Sequence, residues 1–552
     1  DNIFLIILQI GHIPCKLAYQ YMTHHPDYRA DAPLTVLRAH PDHTPDKPEI
    51  RSFRFWNVRF LRREPAVSFN NRNASGCPHR KIERTKRKII LVDVSVVPEQ
   101  RASWSGKLGF VLAAAGSAVG LGTIWRFPYL AAHYGGGTFI FVFFIFMLTL
   151  GVSLLILEIS LGRKTGESII AAFASFGKKY RFIGVFIAAV PFVIASFYGV
   201  VGGWVTHYMF AYAAGMTKEL ADGGENFGAF ISDAPQSVAF MLLFGAISFI
   251  IVALGVNGGV ERANLIMMPA LILVSLLIGI FTLTQPGALE GLKYFVVPDF
   301  SKFSLELLIA ALGQTFFGLS LAAATMVTYG SYMKKDVSIT SSAFQTTATT
   351  LGISLLAGLM IIPATFATLG SADEVAKNSG PSLMFLVIPK VFEKFGGIAT
   401  VIGFVFFLLV MFAALTSMIS LVEACVSILQ DTLEWKRRQA LLVTVIVLSA
   451  TGIIVTLGYS SLSFIQPLGA GSTILDFLDF LTSSVMMPLG GLLMCLFFGW
   501  IRKPEVLIDE VRVSGDFKHS GLWSVMIKYI APILLVAIFI TSVLKTFGVI
   551  SF

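Results

Sequence analysis

Gly116-Ser117-Ala118-Val119-Gly120-Leu121-Gly122-Thr123-Ile124-Trp125-Arg126-Phe127-Pro128 lies inside an apolar run from about Leu108 to Leu130. That run is long enough to cross a bilayer. Three glycines within residues 116–122 make a poor helix interior, because glycine loses more backbone entropy than alanine on becoming helical. An interrupted membrane helix leaves amides and carbonyls without partners in a medium that holds no water. Such backbone is tolerated only where it lines a cavity or binds something. Arg126, at the end of the same run, needs a partner or water. A small-residue helix-packing face would account for the glycines, but not for the arginine or the Arg-Phe-Pro ending.

The composition agrees with a chain that crosses the membrane many times. Of 552 residues, 55% are hydrophobic and only 14% charged, and the mean hydropathy is +0.76. A soluble domain carries roughly a quarter charged residues. The net charge of +9 is read here through its placement, and nucleic acid is not an expected partner. Cys15, Cys77, Cys425 and Cys495 show no metal or redox spacing.

Residues 1–100 differ from the rest, being rich in His, Pro, Arg and Asp without sustained periodicity. Six of the nine histidines fall here, at spacings that form no recognised ligand set. This extension is expected to be a disordered cytoplasmic tail or sequence foreign to the natural protein, the second being favoured. The basic run from Arg80-Lys81 to Lys86-Arg87-Lys88 would hold it in the cytoplasm.

Residues 101–552 are expected to form one all-α membrane domain. Eleven spans are predicted, at about 105–131, 136–161, 184–214, 237–254, 262–283, 303–333, 340–370, 396–432, 440–458, 472–500 and 521–549. Arg163-Lys164, Lys178-Lys179, Lys334-Lys335, Lys436-Arg437-Arg438 and Arg502-Lys503 then fall on one side. The connection 215–236 on the other side holds Glu219, Asp222, Glu225 and Asp233 against one lysine. The positive-inside rule therefore places the N-terminus in the cytoplasm, and the plasma membrane is the expected location. Spans 1–5 and 6–10 start from opposite sides. The first of each has an awkward interior: Gly116–Gly122, and Gly313 with Gly318-Leu319-Ser320-Leu321-Ala322. Paired interruptions point to a 5+5 inverted repeat with discontinuous helices 1 and 6 and a midplane site.

The motif Gly-Ser-Ala-Val-Gly-Leu-Gly-Thr-Ile-Trp-Arg-Phe-Pro resembles the first-span signature of the neurotransmitter:sodium symporters, including their bacterial amino-acid transporters. The resemblance runs from about Trp104 to the C-terminus. It implies a substrate pocket at Ser117, Ala118, Leu121, Gly122, Ile194, Tyr198, Val201, Phe317, Ser320, Ala323, Ser417 and Leu421. The amides of Leu121 and Gly122, at a helix N-terminus, and the Tyr198 hydroxyl would meet a substrate carboxylate. Ala323 stands where a bulky aromatic can occur, leaving room for a larger substrate side chain. No charge lies among these positions, so an apolar or aromatic amino acid fits best.

The Ala413-Ala414-Leu415-Thr416-Ser417 motif is similar to one of the family's two sodium motifs. It implies ligands from Gly116, Val119, Ala413, Thr416 and Ser417. At the family's other sodium site, two asparagines and a threonine are replaced by Thr123, Thr350 and Gly318, so a single coupling sodium is expected. Ser354 and Phe143 fall on positions tied to chloride; Gln314 is kept, but a chloride site is not expected. Arg126 with Asp479 matches the outer gate and Phe317 its lid. Arg101 with Asp431, beside Trp104 and Tyr332, matches the inner gate. Glu158 is assigned a structural role at the helix breaks.

The sequence is therefore read as a sodium-coupled symporter of a small neutral amino acid or related amine, working by alternating access. Proton coupling on the same fold and a substrate sensor without flux are the alternatives. No enzymatic constellation lies within the spans, and no cofactor beyond sodium is implied. The expected partners are a small molecule, Na+ and the bilayer; oligomeric state is not legible.

Overall fold

A computed structural model describes residues 101–378 and 380–549. The chain separates into two units, Asp1–Asp93 and Val94–Phe552; the expectations for residues 1–100 lie outside the described residues. Within the second unit the described structure is helical. Its first apolar segment is two helices, α1 (Lys107–Ala118) and α2 (Gly122–His133), bent by 62° at their break. There follow α3 (Gly137–Thr165), α4 (Lys178–Ala213), α5 (Ala234–Ala253) and α6 (Val256–Leu283). The second broken segment is α7 (Leu305–Gly318) and α8 (Thr325–Ser331). Then come α9 (Ile339–Leu369), α10 (Gly396–Leu433), α11 (Arg437–Leu457) and α12 (Ile474–Ile501). A short amphipathic α13 (Glu505–Arg512) precedes α14 (Ser520–Thr546).

By length and composition, nine helices among the described residues can cross a membrane, or ten when the bent pair α1–α2 counts as one span. The eleven predicted segments include a sixth that does not pass that test. The reason is physical: α7 and α8 have 14 and 7 residues, and neither reaches across a bilayer alone. The chain is thus a multi-pass membrane protein with interrupted helices at the start of each half.

The two breaks have different causes. At the first, Val119 takes φ −83 and ψ 85, which ends α1 and turns its carbonyl out of the helical ladder. The second lies at residues 319–324, where Ser320, Ala322 and Ala324 all take positive φ, at 50, 57 and 62. Gly313, expected to contribute to this interruption, instead sits within intact α7. Left-handed backbone at three non-glycine residues is unfavourable. It is held by contacts at the break: the Ala322 amide donates to Glu158 Oε1 at 2.7 Å, and the Ser320 hydroxyl donates to the Ser117 carbonyl at 3.0 Å. Glu158 of α3 is buried.

Candidate functional site

The two breaks meet around a cavity of about 60 Å³, well above the roughly 10–15 Å³ that one water needs. Eleven of the twelve predicted pocket residues line it: Ser117, Ala118, Leu121, Gly122, Ile194, Tyr198, Phe317, Ser320, Ala323, Ser417 and Leu421. Val201 does not. It is buried, but on α4 it lies nearly a turn beyond Tyr198 and misses the cavity. Phe197, Ser420 and Met487 line the cavity without having been anticipated. Ser420 is one turn along α10 from Ser417, and helical spacing could have found it. Met487, on α12, belongs to no motif.

Close backbone approach explains the glycines of the first break. A Cβ on Gly120 would stand 2.7 Å from both Ser417 Oγ and Tyr198 Oη, and one on Gly122 would stand 2.2 Å from Phe317 Cε1. The Leu121 amide donates to the Tyr198 hydroxyl at 3.0 Å. This brings together two of the three groups expected at a carboxylate, the third being the Gly122 amide. Ser117 Oγ is buried without a partner. The lining thus combines polar groups with apolar side chains, among them Ile194, Ala323 and Leu421.

The expected sodium ligands sit directly beside this cavity. Ser417 Oγ lies 3.3 Å from the Gly116 carbonyl and 3.2 Å from that of Ser117. Thr416 Oγ1 donates to the Ala413 carbonyl at 3.0 Å. These are hard oxygen donors drawn from α1 and from α10. Such a donor set suits an alkali cation.

The other set differs. Thr123 Oγ1 bonds the Ala118 carbonyl at 3.4 Å, and Thr350 Oγ1 bonds the Thr346 carbonyl of its own helix at 3.0 Å. Gly318 presents no side chain, and its nearest neighbour in the Cβ direction is Gln314 Nε2, at 3.7 Å. Gln314 Nε2 donates to the Gly122 carbonyl at 3.3 Å. Ser354 Oγ is bonded to the Thr350 carbonyl, and Phe143 is buried among aromatic rings.

The two predicted ion pairs make different contacts. Arg101 Nη1 contacts both oxygens of Asp431, at 2.7 and 2.8 Å. Arg101 also donates to Ser331 and Ser427, and its guanidinium lies 5.1 Å from the Tyr332 ring centroid. Trp104 packs edge-on against Tyr332 and donates to the Tyr329 carbonyl. The Tyr332 hydroxyl donates to Glu423, which Arg437 also grips. Glu167, beside this pair and outside the spans, is held above the usual carboxylate range by burial and then by the charge of Asp431; Arg101 partly offsets both. At the other end, among the described residues, Arg126 and Asp479 form no ion pair. Arg126 lies over the Phe317 ring at 5.1 Å, and Asp479 accepts from Ser483 at 2.8 Å. Of the two predicted ion pairs, Arg101–Asp431 is formed; among the described residues, Arg126–Asp479 is not.

Comparison with known proteins bears on the family. A family model described as the sodium:neurotransmitter symporter family matches residues 101–224 and 228–549. The "uncharacterized sodium-dependent transporter YhdH" of Bacillus subtilis is 36% identical over 82% of this chain and 99% of its own length. The sodium-dependent serotonin transporter of Drosophila melanogaster is 26% identical over 82% of this chain and 78% of its own. The crystal structure of MhsT in complex with L-phenylalanine matches with a TM-score of 0.71 and 35% identity. That match covers 80% of this chain and all of MhsT.

Proposed function

Because the chain belongs to the sodium:neurotransmitter symporter family, and is therefore a sodium-coupled transporter and not an enzyme, we propose that its cargo is a neutral apolar or aromatic amino acid. The observation that carries this is the cavity itself. Its lining combines the Leu121 amide and the Tyr198 and Ser117 hydroxyls with apolar side chains such as Ile194, Ala323 and Leu421, and it contains no charged side chain. A charged substrate side chain would be left unpaired there. The L-phenylalanine in the MhsT structure is of the same chemical class.

The same oxygens that flank this cavity, on Gly116, Val119, Ala413, Thr416 and Ser417, hold the coupling sodium, and chloride is not used. Arg126–Asp479 and Arg101–Asp431 are the alternating outer and inner gates. The chain sits in the plasma membrane with the Arg101 end towards the cytoplasm, as the positions of its Lys and Arg residues favour. Residues 1–100 are dispensable for transport.

Uptake of labelled phenylalanine into proteoliposomes, with and without a sodium gradient, tests the reading. The Thr416→Ala/Ser417→Ala double variant should abolish sodium-dependent binding, since a dehydrated cation loses two oxygens. Unchanged sodium dependence would overturn the site, and counterflow without net accumulation would point to an uncoupled carrier. A chain of residues 101–552 should transport like the full chain.

A further inference from the structure

Asn264 of α6 is fully buried, at 0% exposure, and its side chain is half satisfied. Its Nδ2 donates to the Val260 carbonyl one turn back, at 2.8 Å. That bond fixes the amide plane and turns Oδ1 the other way, where it has no hydrogen-bond partner. A buried amide carbonyl without a donor is rare enough in folded proteins to call for an explanation.

Its position supplies one. A Cβ built on Gly116 would stand 2.0 Å from Asn264 Oδ1 and 3.1 Å from Thr416 Cβ. The orphan oxygen thus fills the space that a side chain at 116 would need, on the same side of Gly116 as Thr416. Gly116 and Thr416 belong to two different elements, α1 and α10, and both are in the oxygen set assigned above to sodium. Asn264 adds a third element, packed against both. The Gly116 amide, inside α1, is spent within its own helix and cannot serve the oxygen.

We propose that Asn264 Oδ1 belongs to the sodium site, as an amide oxygen that binds the ion from the α6 side. This rests on the sodium assignment above and extends it by one side chain. A neutral amide oxygen is a hard donor suited to an alkali cation. It also leaves the net charge of the site unchanged, so the ion can leave again. The role makes α6 part of the ion-binding machinery: sodium would tie α6 to the α1 break and to α10.

The test is sodium half-saturation of substrate binding by the full chain in proteoliposomes, for Asn264→Ala and Asn264→Asp. Asn264→Ala should raise the half-saturating sodium concentration about tenfold, as loss of one ligand worth a factor of ten in affinity would, with substrate affinity at saturating sodium retained. Asn264→Asp should bring it back to the wild-type value or below, because an anionic oxygen of the same size faces the cation. An amide whose only role is the Nδ2 bond to the Val260 carbonyl predicts the reverse, since a carboxylate repels that carbonyl. Asn264→Asp as weak as Asn264→Ala, or sodium dependence unchanged in both, would overturn the proposal. If Asn264→Asp fails to insert, Asn264→Ser takes its place, with partial recovery expected and none overturning it. Sodium dependence surviving in Thr416→Ala/Ser417→Ala would instead remove the site as a whole; loss there with no effect at Asn264 removes only this side chain from it.

Discussion

Arg101 Nη1 lies 2.7 Å from Asp431 Oδ1, and the Ser168 amide donates to the other oxygen of the same carboxylate at 2.6 Å. One carboxylate thus joins the start of the domain, the end of α3 and the end of α10. The pair is only partly sheltered, with 25% and 11% of the two side chains exposed. Asp431→Asn should therefore weaken closure by roughly 2 kcal/mol, less than the roughly 3–5 kcal/mol lost when a fully dry pair is broken. Spin labels at the exposed positions Lys164 and Glu434 should report a shift towards longer distances. Distances unchanged in this variant would mean that the aromatic contacts of Trp104 and Tyr332 hold the gate without the ion pair.

Glu167 should make the same gate sensitive to acid. Its carboxyl is raised in the closed state by burial and by Asp431, so the closed state binds the proton more tightly than an opened, solvated one. Lowering the pH through the range just above an ordinary glutamate should favour closure, and the effect should fade as pH rises past the raised value. Glu167→Gln should remove the dependence. Equal pH dependence in this variant and in the parent would assign the effect to another group.

The strained break offers a separate handle. Ala324 has φ 62, which for a residue with a Cβ costs about 1–2 kcal/mol. Ala324→Gly should raise thermal stability and favour the conformation in which residues 319–324 are unwound. Ala324→Val, whose β-branch tolerates that φ poorly, should abolish substrate binding. A glycine variant no more stable than the parent would mean that the helix break is held by its contacts to Glu158 and Ser117 alone.

Met487, 2% exposed and on the cavity wall with Ala323, should set the upper size of the substrate. Ala323→Phe or Met487→Phe should weaken an aromatic substrate tenfold or more while sparing alanine. One misfitted hydrophobic group is worth about 1–3 kcal/mol. Competition of alanine and phenylalanine against one labelled substrate would show this. An unchanged size preference would place the substrate side chain elsewhere.

Much of this site was legible because each chemical demand marks its residues. Gly120 and Gly122 mark where Tyr198, Ser417 and Phe317 approach the backbone, and Arg126, a charge in an apolar run, lies over the Phe317 ring of the same cavity. The second break was placed less well. Its unwinding is carried by Ser320, Ala322 and Ala324, whose side chains do not favour it, while Gly313 remains helical because nothing at that point competes with the helix. Met487 and Asn264 were missed for a different reason. Their roles arise from which helices pack together, and nothing in the local sequence of α12 or α6 distinguishes them from ordinary buried residues. The span count differed because composition sees apolar residues over 303–333 but not that they divide into two short helices.

The last expectation concerns stoichiometry. Sodium leaving water must recover its hydration from fixed oxygens, and an under-coordinated buried ion is strongly disfavoured. Around Gly318 the hydroxyls of Thr123 and Thr350 are bonded to carbonyls of neighbouring backbone, and Gly318 itself supplies no side-chain oxygen. Of the three side-chain positions that the family uses there, only the two threonine hydroxyls remain for a second sodium. Each inward charge contributes roughly 2.3 kcal/mol at 100 mV, so coupling to one ion limits the substrate gradient that can be reached. The expected outcome is one sodium per substrate, a sodium Hill coefficient of about 1, as for a single-site isotherm, and uptake indifferent to chloride. Reversal potentials in proteoliposomes give the ratio directly. A value of about two would mean that Gln314 Oε1, buried without a partner, and ordered water rebuild the second cage.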